Sequence, residues 1–366
     1  MLRPISGYVH DFMHGLLSNG VMGWVAYLVI STVCENGLPQ IWERLADFLK
    51  LWVQPGFRSN QNVHRLFDSK HVANHKKSKK IKASAGGILE LCRLLAYYLQ
   101  TCALKFGICT LEITCFLSWL AVLAFCIAIP ALQHPQPSVL QNLVEKALSD
   151  MVSAGWGSEF RPKMHWALHY SDALAIHKML PSCFSLERKH KSIRKHANNL
   201  CNTVAYEKSL IAAVLSEHIQ LLQLDTTLLR TDNFLVNRKR PTTQALAMLE
   251  AHGLCLPSEI CWVSREMKLS NGAVVTQQDV VLYQAESSLQ VGHVKLLIQV
   301  GDDLGALLAK MTLREKLPEL MVSKCVESQH ICFVEAKQIE APVVYNRSGS
   351  GIFTCFTPPH IWAKEL

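Results

Sequence analysis

The apolar positions change period once along the chain, and that change predicts two kinds of architecture in sequence. Residues 21–33 and 38–53 repeat apolar side chains every three or four positions, with Trp24, Ile41, Leu45, Phe48 and Leu49 on one face. Such spacing predicts packed helices. Pro55-Gly56 closes this block, and the polar residues 60–82, ending in Lys76-Lys77-Ser78-Lys79-Lys80-Ile81-Lys82, read as an exposed loop. Residues 83–104 are helical in pattern around Gly86-Gly87. His134-Pro135-Gln136-Pro137 marks a turn, and Ser138 is placed to cap a helix running to residue 152. Residues 162–170 form a short aromatic-flanked segment, residues 182–223 are helical with a break at Asn198-Asn199, and a short helix over 243–252 follows the linker Arg238-Lys239-Arg240-Pro241. Beyond Pro257 the pattern becomes β-rich over 260–267, 274–283, 291–300, 330–336 and 352–356, with turns at Asn271-Gly272, Gly301-Asp302 and residues 348–351.

One segment fits two environments. Residues 113–132 carry no charge, and roughly 20 apolar residues suffice to cross a bilayer as a helix. A hydrophobic helix at the centre of a helical domain has the same composition. Glu112, Thr114, Ser118 and Pro130, and the lack of a second comparable stretch, favour the core helix; the alternative is a single-span membrane protein.

With 366 residues, 49% hydrophobic and 18% charged, the chain can bury a large core, which excludes a peptide hormone or a disulfide mini-scaffold. The formal charge of +8 permits phosphate or acidic-membrane partners without choosing between them. Thirteen cysteines fall mostly in apolar runs and never as C-x-x-C, so buried thiols in a reducing compartment are expected. Asp11 and His14 interrupt the first apolar stretch, so the opening residues do not read as a secretory signal.

Three groups of residues carry candidate chemistry. Asp11-Phe12-Met13-His14 suits either a helix cap with a satisfied pair or a catalytic acid. His165 and His169, four apart in Pro162-Lys163-Met164-His165-Trp166-Ala167-Leu168-His169-Tyr170, share a helical face and suit Zn²⁺, with Cys34 and Cys183 as conceivable partners. In residues 186–196, Leu186, Ile193, Ala197 and Leu200 define an expected buried stripe with Glu187 at its margin. Arg188, Lys189, Lys191, Arg194 and Lys195 then supply a basic face, the arrangement a Mg²⁺ site acting on a phosphodiester needs. A solvated, salt-bridged helix is the alternative.

The order Asp11-x-Met13-His14, a long helical stretch, Lys163-Met164-His165-x-x-x-His169-Tyr170, then Glu187-Arg188-Lys189-His190 resembles the second half of the CACTA-like cut-and-paste DNA transposases, over residues 8–220 or so. The resemblance implies an α+β protein: a partial RNase H-like core with a helical insertion, then a small antiparallel β-barrel or sheet domain. The implied segments are 1–30 (core), 31–160 (insertion), 161–235 (helical end of the core), 236–257 (linker and short helix) and 258–366 (β domain). It implies Asp11 and Glu187 as the second and third acids of a two-Mg²⁺ site, and His165 and His169 as zinc ligands of the insert. DNA is the implied partner, with self-association into a homo-oligomer and a nuclear location, the lysines at 76–82 serving as import signal or phosphate contact. Ten residues precede Asp11, so the first acid has no counterpart here, and the companion C-x-x-C is absent. A two-metal clamp short of one carboxylate loses metal affinity and catalysis, so the expectation is a truncated, inactive relative that still binds nucleic acid. A protein-interaction scaffold is the remaining alternative.

Overall fold

The computed structural model describes residues 10–56, 62–183, 193–198, 200, 205–224, 232–254, 260–286 and 288–362. It is an α+β protein, helical in its N-terminal part and sheet-rich, with antiparallel pairing, in its C-terminal part.

The helical part begins with a π-helical segment, Met13–Leu17, followed by α1 (Val21–Asn36), α2 (Ile41–Lys50), α3 (Ser69–Ser78), α4 (Ala85–Cys102), α5 (Thr110–Ala128), α6 (Pro137–Ser153), α7 (Pro162–Ala167) and α8 (Tyr170–His177). Within the expected core segment 1–30, the described residues are therefore helices joined by a short turn, with no strand among them. In α1 the buried Val21, Met22, Val25, Ala26, Val29, Ile30 and Val33 recur at three- and four-residue steps, so one face points inward. In α5 the buried face is unusually wide: Cys115, Ser118, Val122 and Cys126 are buried as well as Ile113, Phe116, Trp119 and Leu123, and the helix packs against α1, α4 and α6. Such a helix belongs at the centre of a core. Its one buried hydroxyl, Ser118, donates to Asp150 of α6 at 2.5 Å, and Lys146 pairs with the same carboxylate at 2.6 Å. The polar group that interrupts the apolar run is thus satisfied by a neighbouring helix.

Among the described residues two stretches are long and apolar enough to span a membrane, Met13–Asn36 and Thr110–Ala131, and 61% of the most apolar window of each is buried inside the protein. The sequence reading finds one such stretch; the second escapes it because Gly15, Gly20 and Asn19 dilute its apolar character.

Two further expectations are corrected. The described part of residues 60–82 is not a loop: a 3₁₀ turn, Val63–Phe67, leads into α3. The segment looks solvated because its inward face is narrow, consisting of Val63, Phe67, His75 and Ile81. His75 is fully buried; its Nε2 donates to the Leu66 carbonyl at 2.8 Å, and its Nδ1 accepts from the Lys82 amide at 3.1 Å. Ser138 does not cap α6, since Pro137 occupies the first turn and needs no amide partner there. Side-chain caps occur instead at Ser84, accepting from the Gly87 amide at 3.2 Å, and at Thr242, accepting from the Ala245 amide at 3.3 Å.

After α9 (Tyr206–Leu224), the strands are β1 (Phe234–Val236), β2 (Cys261–Ser264), β3 (Glu266–Lys268), β4 (Val274–Thr276), β5 (Val280–Ala285), β6 (Ser288–Val300), β7 (Asp303–Leu317), β8 (Val322–Glu335), β9 (Ile339–Arg347) and β10 (Ile352–Phe356). Helix α10 (Thr243–Ala251) lies between β1 and β2, and α11 (Pro359–Trp362) follows β10. Strands β1, β3 and β4 form a small sheet, so residues upstream of 258 already contribute to the β-rich part. In the larger sheet the pairings run β6-β5-β9-β10-β8-β7 and return from β7 to β6, with β2 joined to β6. β1, β7 and β9 have no counterpart among the expected strands. In β7, residues 305–309 are buried on both faces while 312–316 are exposed, so neither half shows the expected alternation.

The two parts share a boundary. Val53 pairs with Tyr345, the Gly56 amide donates to Asp279 at 2.9 Å, Arg93 donates to the Thr357 carbonyl at 2.7 Å, and Trp52 packs on Phe356 at 4.9 Å. Leu320, Val322 and Phe356 complete the helical core. Among the described residues no two cysteines are disulfide-bonded, and Cys92, Cys115, Cys126, Cys325 and Cys355 are buried, as their apolar settings imply.

Candidate nucleic-acid and metal site

The fold brings the first two motifs to one place. Asp11 caps the opening helical turn, accepting from the amides of Met13 at 3.2 Å and His14 at 3.1 Å. It also accepts from the Cys183 amide at 3.0 Å and pairs with the His14 ring through Nδ1. Burial pushes this carboxyl up, but the His14 ring and the amides of Cys183, His14 and Met13 outweigh it and hold the group below the usual aspartate value. The cap reading and the catalytic-acid reading of Asp11 therefore share one geometry: an ionised, well-anchored carboxylate.

Lys163 of α7 reaches across to the end of the π-helical segment. Its Nζ donates to the carbonyls of His14 at 2.7 Å and Ser18 at 3.1 Å, oxygens that the end of that segment leaves open. Burial lowers the Lys163 pKa and nearby Lys80 adds to the effect, while Asp11 opposes it. Behind it, Tyr170 of α8 is fully buried against Gly15: a Cβ there would overlap the tyrosine Oη, and would sit 3.2 Å from Cζ. The glycine is needed for this close approach. The Phe12 amide donates to the Pro181 carbonyl at 3.3 Å, so the chain leading out of α8 is drawn back onto the same spot.

His165 and His169 meet as their spacing predicts, with Nε2 atoms 3.4 Å apart. Two imidazole nitrogens on a tetrahedral zinc at about 2.05 Å lie about 3.3 Å apart, so the pair is already at ligand spacing. Both are exposed; Asp172 approaches His169 Nδ1 at 3.8 Å. His10 stacks on Trp166 at 4.7 Å and lies 6.3 Å from the His169 ring. Burial, then His169 and His165, lower its pKa.

Cys183 lies with Asp11 and His14, not with the histidine pair: one donor atom from each of the three falls within 4.8 Å of the others. Cys34 is elsewhere, its thiol directed at the Pro39 carbonyl at 3.2 Å.

The lysine run is part of the same face. Ile81 is buried and its amide donates to the Gly23 carbonyl at 2.8 Å, while Lys80 Nζ donates to Asn19 at 3.0 Å. Lys79 takes the left-handed conformation that turns the chain off α3. Lys76, Lys77, Lys79 and Lys82 are exposed, and among the described residues none of them pairs with a carboxylate. Arg161 stacks on Trp24 at 4.2 Å nearby. The cations around residues 76–82 and Lys163 are thus held on a folded support beside Asp11, which their sequence position does not reveal.

Glu187, Arg188, Lys189 and Lys191 lie outside the described residues, as does Leu186, so the Asp11–Glu187 pair expected to hold Mg²⁺ is not placed. Arg194 and Lys195 are exposed; Lys195 approaches Glu217 of α9 at 3.4 Å, and His196 bonds the same carboxylate at 2.7 Å. Ile193 is 36% exposed and Ala197 half-buried, which corrects the expected buried stripe: this turn presents its apolar side chain to solvent and is tied to α9 by charge instead. No family model, no curated protein and no solved structure matches the chain.

Proposed function

We propose that this chain is a transposase-derived DNA-binding protein that holds the phosphate backbone along the face made by residues 76–82, Arg161 and Lys163. The observation that carries the reading is the convergence of the Asp11-x-Met13-His14 segment, the Lys163-to-Tyr170 segment and the lysine turn on one side of the helical part. Cations fixed on a rigid support bind a polyanion by releasing its counterions, without paying to order a loose tail. Binding, and not strand transfer, is the activity assigned to these residues. A two-metal reaction needs several carboxylates; of the two named from the sequence, Asp11 is the one that the described residues bring to this cluster. The ring of strand pairings in the C-terminal part is consistent with the small barrel that the resemblance implies, and a nuclear site of action follows from the same reading.

Duplex affinity measured by fluorescence anisotropy from 50 to 400 mM salt tests this. The affinity is expected to fall log-linearly with a slope of about −3 to −5, corresponding to four or five phosphate contacts at about 0.9 counterion each. Absence of binding at 50 mM, or binding independent of salt, overturns the proposal.

A further inference from the structure

Asp11, His14 and Cys183 have a use that DNA binding does not give them. They offer an oxygen, an imidazole nitrogen and a sulfur from two segments 172 residues apart, all within 4.8 Å. We propose that these three side chains form a mononuclear site for a thiophilic divalent cation, Zn²⁺ foremost, with a fourth position open to water. The inference does not depend on the nucleic-acid reading.

The donor set decides the metal. Mg²⁺ takes oxygen ligands in near-ideal octahedra, whereas thiolate with imidazole selects zinc and its neighbours in the first transition row. At Zn–S of about 2.3 Å and Zn–N or Zn–O of about 2.0–2.1 Å, tetrahedral donors lie about 3.3–3.6 Å apart. The widest edge of the cluster therefore has to contract by at most about an ångström. Three protein ligands plus one open position is the pattern of zinc sites that bind water or a substrate oxygen. The surroundings agree: the Asp11 side chain is 14% exposed and His14 42%, so the site is anchored on one side and reachable from the other.

The supporting contacts already orient the ligands. The amides of Met13 and Cys183 hold one Asp11 oxygen, while the other accepts from the His14 amide and faces His14 Nδ1. A cation entering between that oxygen and Nδ1 replaces the proton they share, which passes to Nε2 by way of solvent. The Cys183 thiol gives up its proton to solvent as the metal–sulfur bond forms. One proton is thus released per ion, and no oxidant or reductant is needed. Affinity should therefore fall as the pH is lowered. Metal binding also ties residue 183 to residues 11–14, which would stabilise the fold by mass action.

Cobalt(II), a spectroscopic substitute for zinc, tests the site in the full chain purified with a chelator and a thiol reductant. The expected result is saturation at one Co²⁺ per chain, with visible bands of a tetrahedral ion, a near-ultraviolet thiolate charge-transfer band, and displacement of both by one equivalent of Zn²⁺. Cys183→Ser should abolish the charge-transfer band. His14→Gln, which changes a side chain 42% exposed and outside the apolar core, should weaken Co²⁺ binding at least tenfold with circular dichroism unchanged. The double change His165→Ala/His169→Ala should leave the bands in place. The proposal is overturned if no charge-transfer band forms, if the band survives Cys183→Ser so that another cysteine is the ligand, if His14→Gln binds normally, or if only the His165/His169 change removes the signal. Duplex binding measured in excess chelator reports on the DNA reading separately.

Discussion

Changing Lys79, Lys80 and Lys82 together to glutamine is expected to weaken duplex DNA binding about a hundredfold at 0.15 M salt and to reduce the salt slope by about three. Each lost phosphate contact removes about 0.9 released counterion, a factor of about five at that ionic strength, and three such factors multiply. The fold should survive the change. Lys79 and Lys82 are exposed, Lys80 is anchored through Asn19, and the turn is held by the His75 ring and by the Ile81 amide on Gly23, neither of which uses a lysine side chain. An unchanged slope, measured by the same anisotropy titration, would remove the turn from the interface.

The second large effect is on stability. Gly15→Ala places a methyl group into the Oη of Tyr170 and within 3.2 Å of its Cζ, so either the fully buried ring or the π-helical segment has to move. A loss of about 3 kcal/mol is expected, at the upper end for overpacking because backbone and ring are both constrained. Tyr170→Phe should have the opposite sign. The hydroxyl is buried and, among the described residues, has no hydrogen-bond partner, and relieving such a group is worth about 1 kcal/mol. Since Phe lacks the atom that the new methyl would meet first, the double variant Gly15→Ala/Tyr170→Phe should recover at least half of the loss. Urea unfolding of the four proteins checks this; additive effects of the two changes would mean that the segments are not in contact.

Much of the helical part is legible because its apolar residues obey a helical period: α1, α2, α4 and α5 sit close to the expected boundaries. The β-rich part is legible wherever one strand face is buried and the turn residues are glycine or asparagine, as at Gly272, Gly301 and Gly351 with their positive φ. Where the pattern fails, the cause is a narrow or doubled buried surface. α3 hides a histidine and little else, and β7 is buried on both faces in one half and on neither in the other. The cluster itself is half legible. Asp11, His165 and His169 can be named from residue type and spacing, and Cys183 can be named as a possible zinc partner of the histidine pair. That Cys183 joins Asp11 and His14 instead follows from a backbone amide bonding a carboxylate 172 residues away, and an amide carries no side-chain signature. The same holds for Lys163, whose acceptors are two main-chain carbonyls.

The central claim is that residues 76–82 and 161–169 form one DNA-bearing face beside Asp11. Photo-cross-linking of a duplex carrying reactive groups on its phosphates, followed by mass-spectrometric mapping at 50 mM salt, tests it most directly. The account predicts adducts in peptides containing Lys79, Lys80 or Lys82 and in the peptide containing Lys163, both suppressed at 400 mM salt. Adducts confined to the C-terminal strands, around Arg238, Arg240 and Arg265, would contradict it.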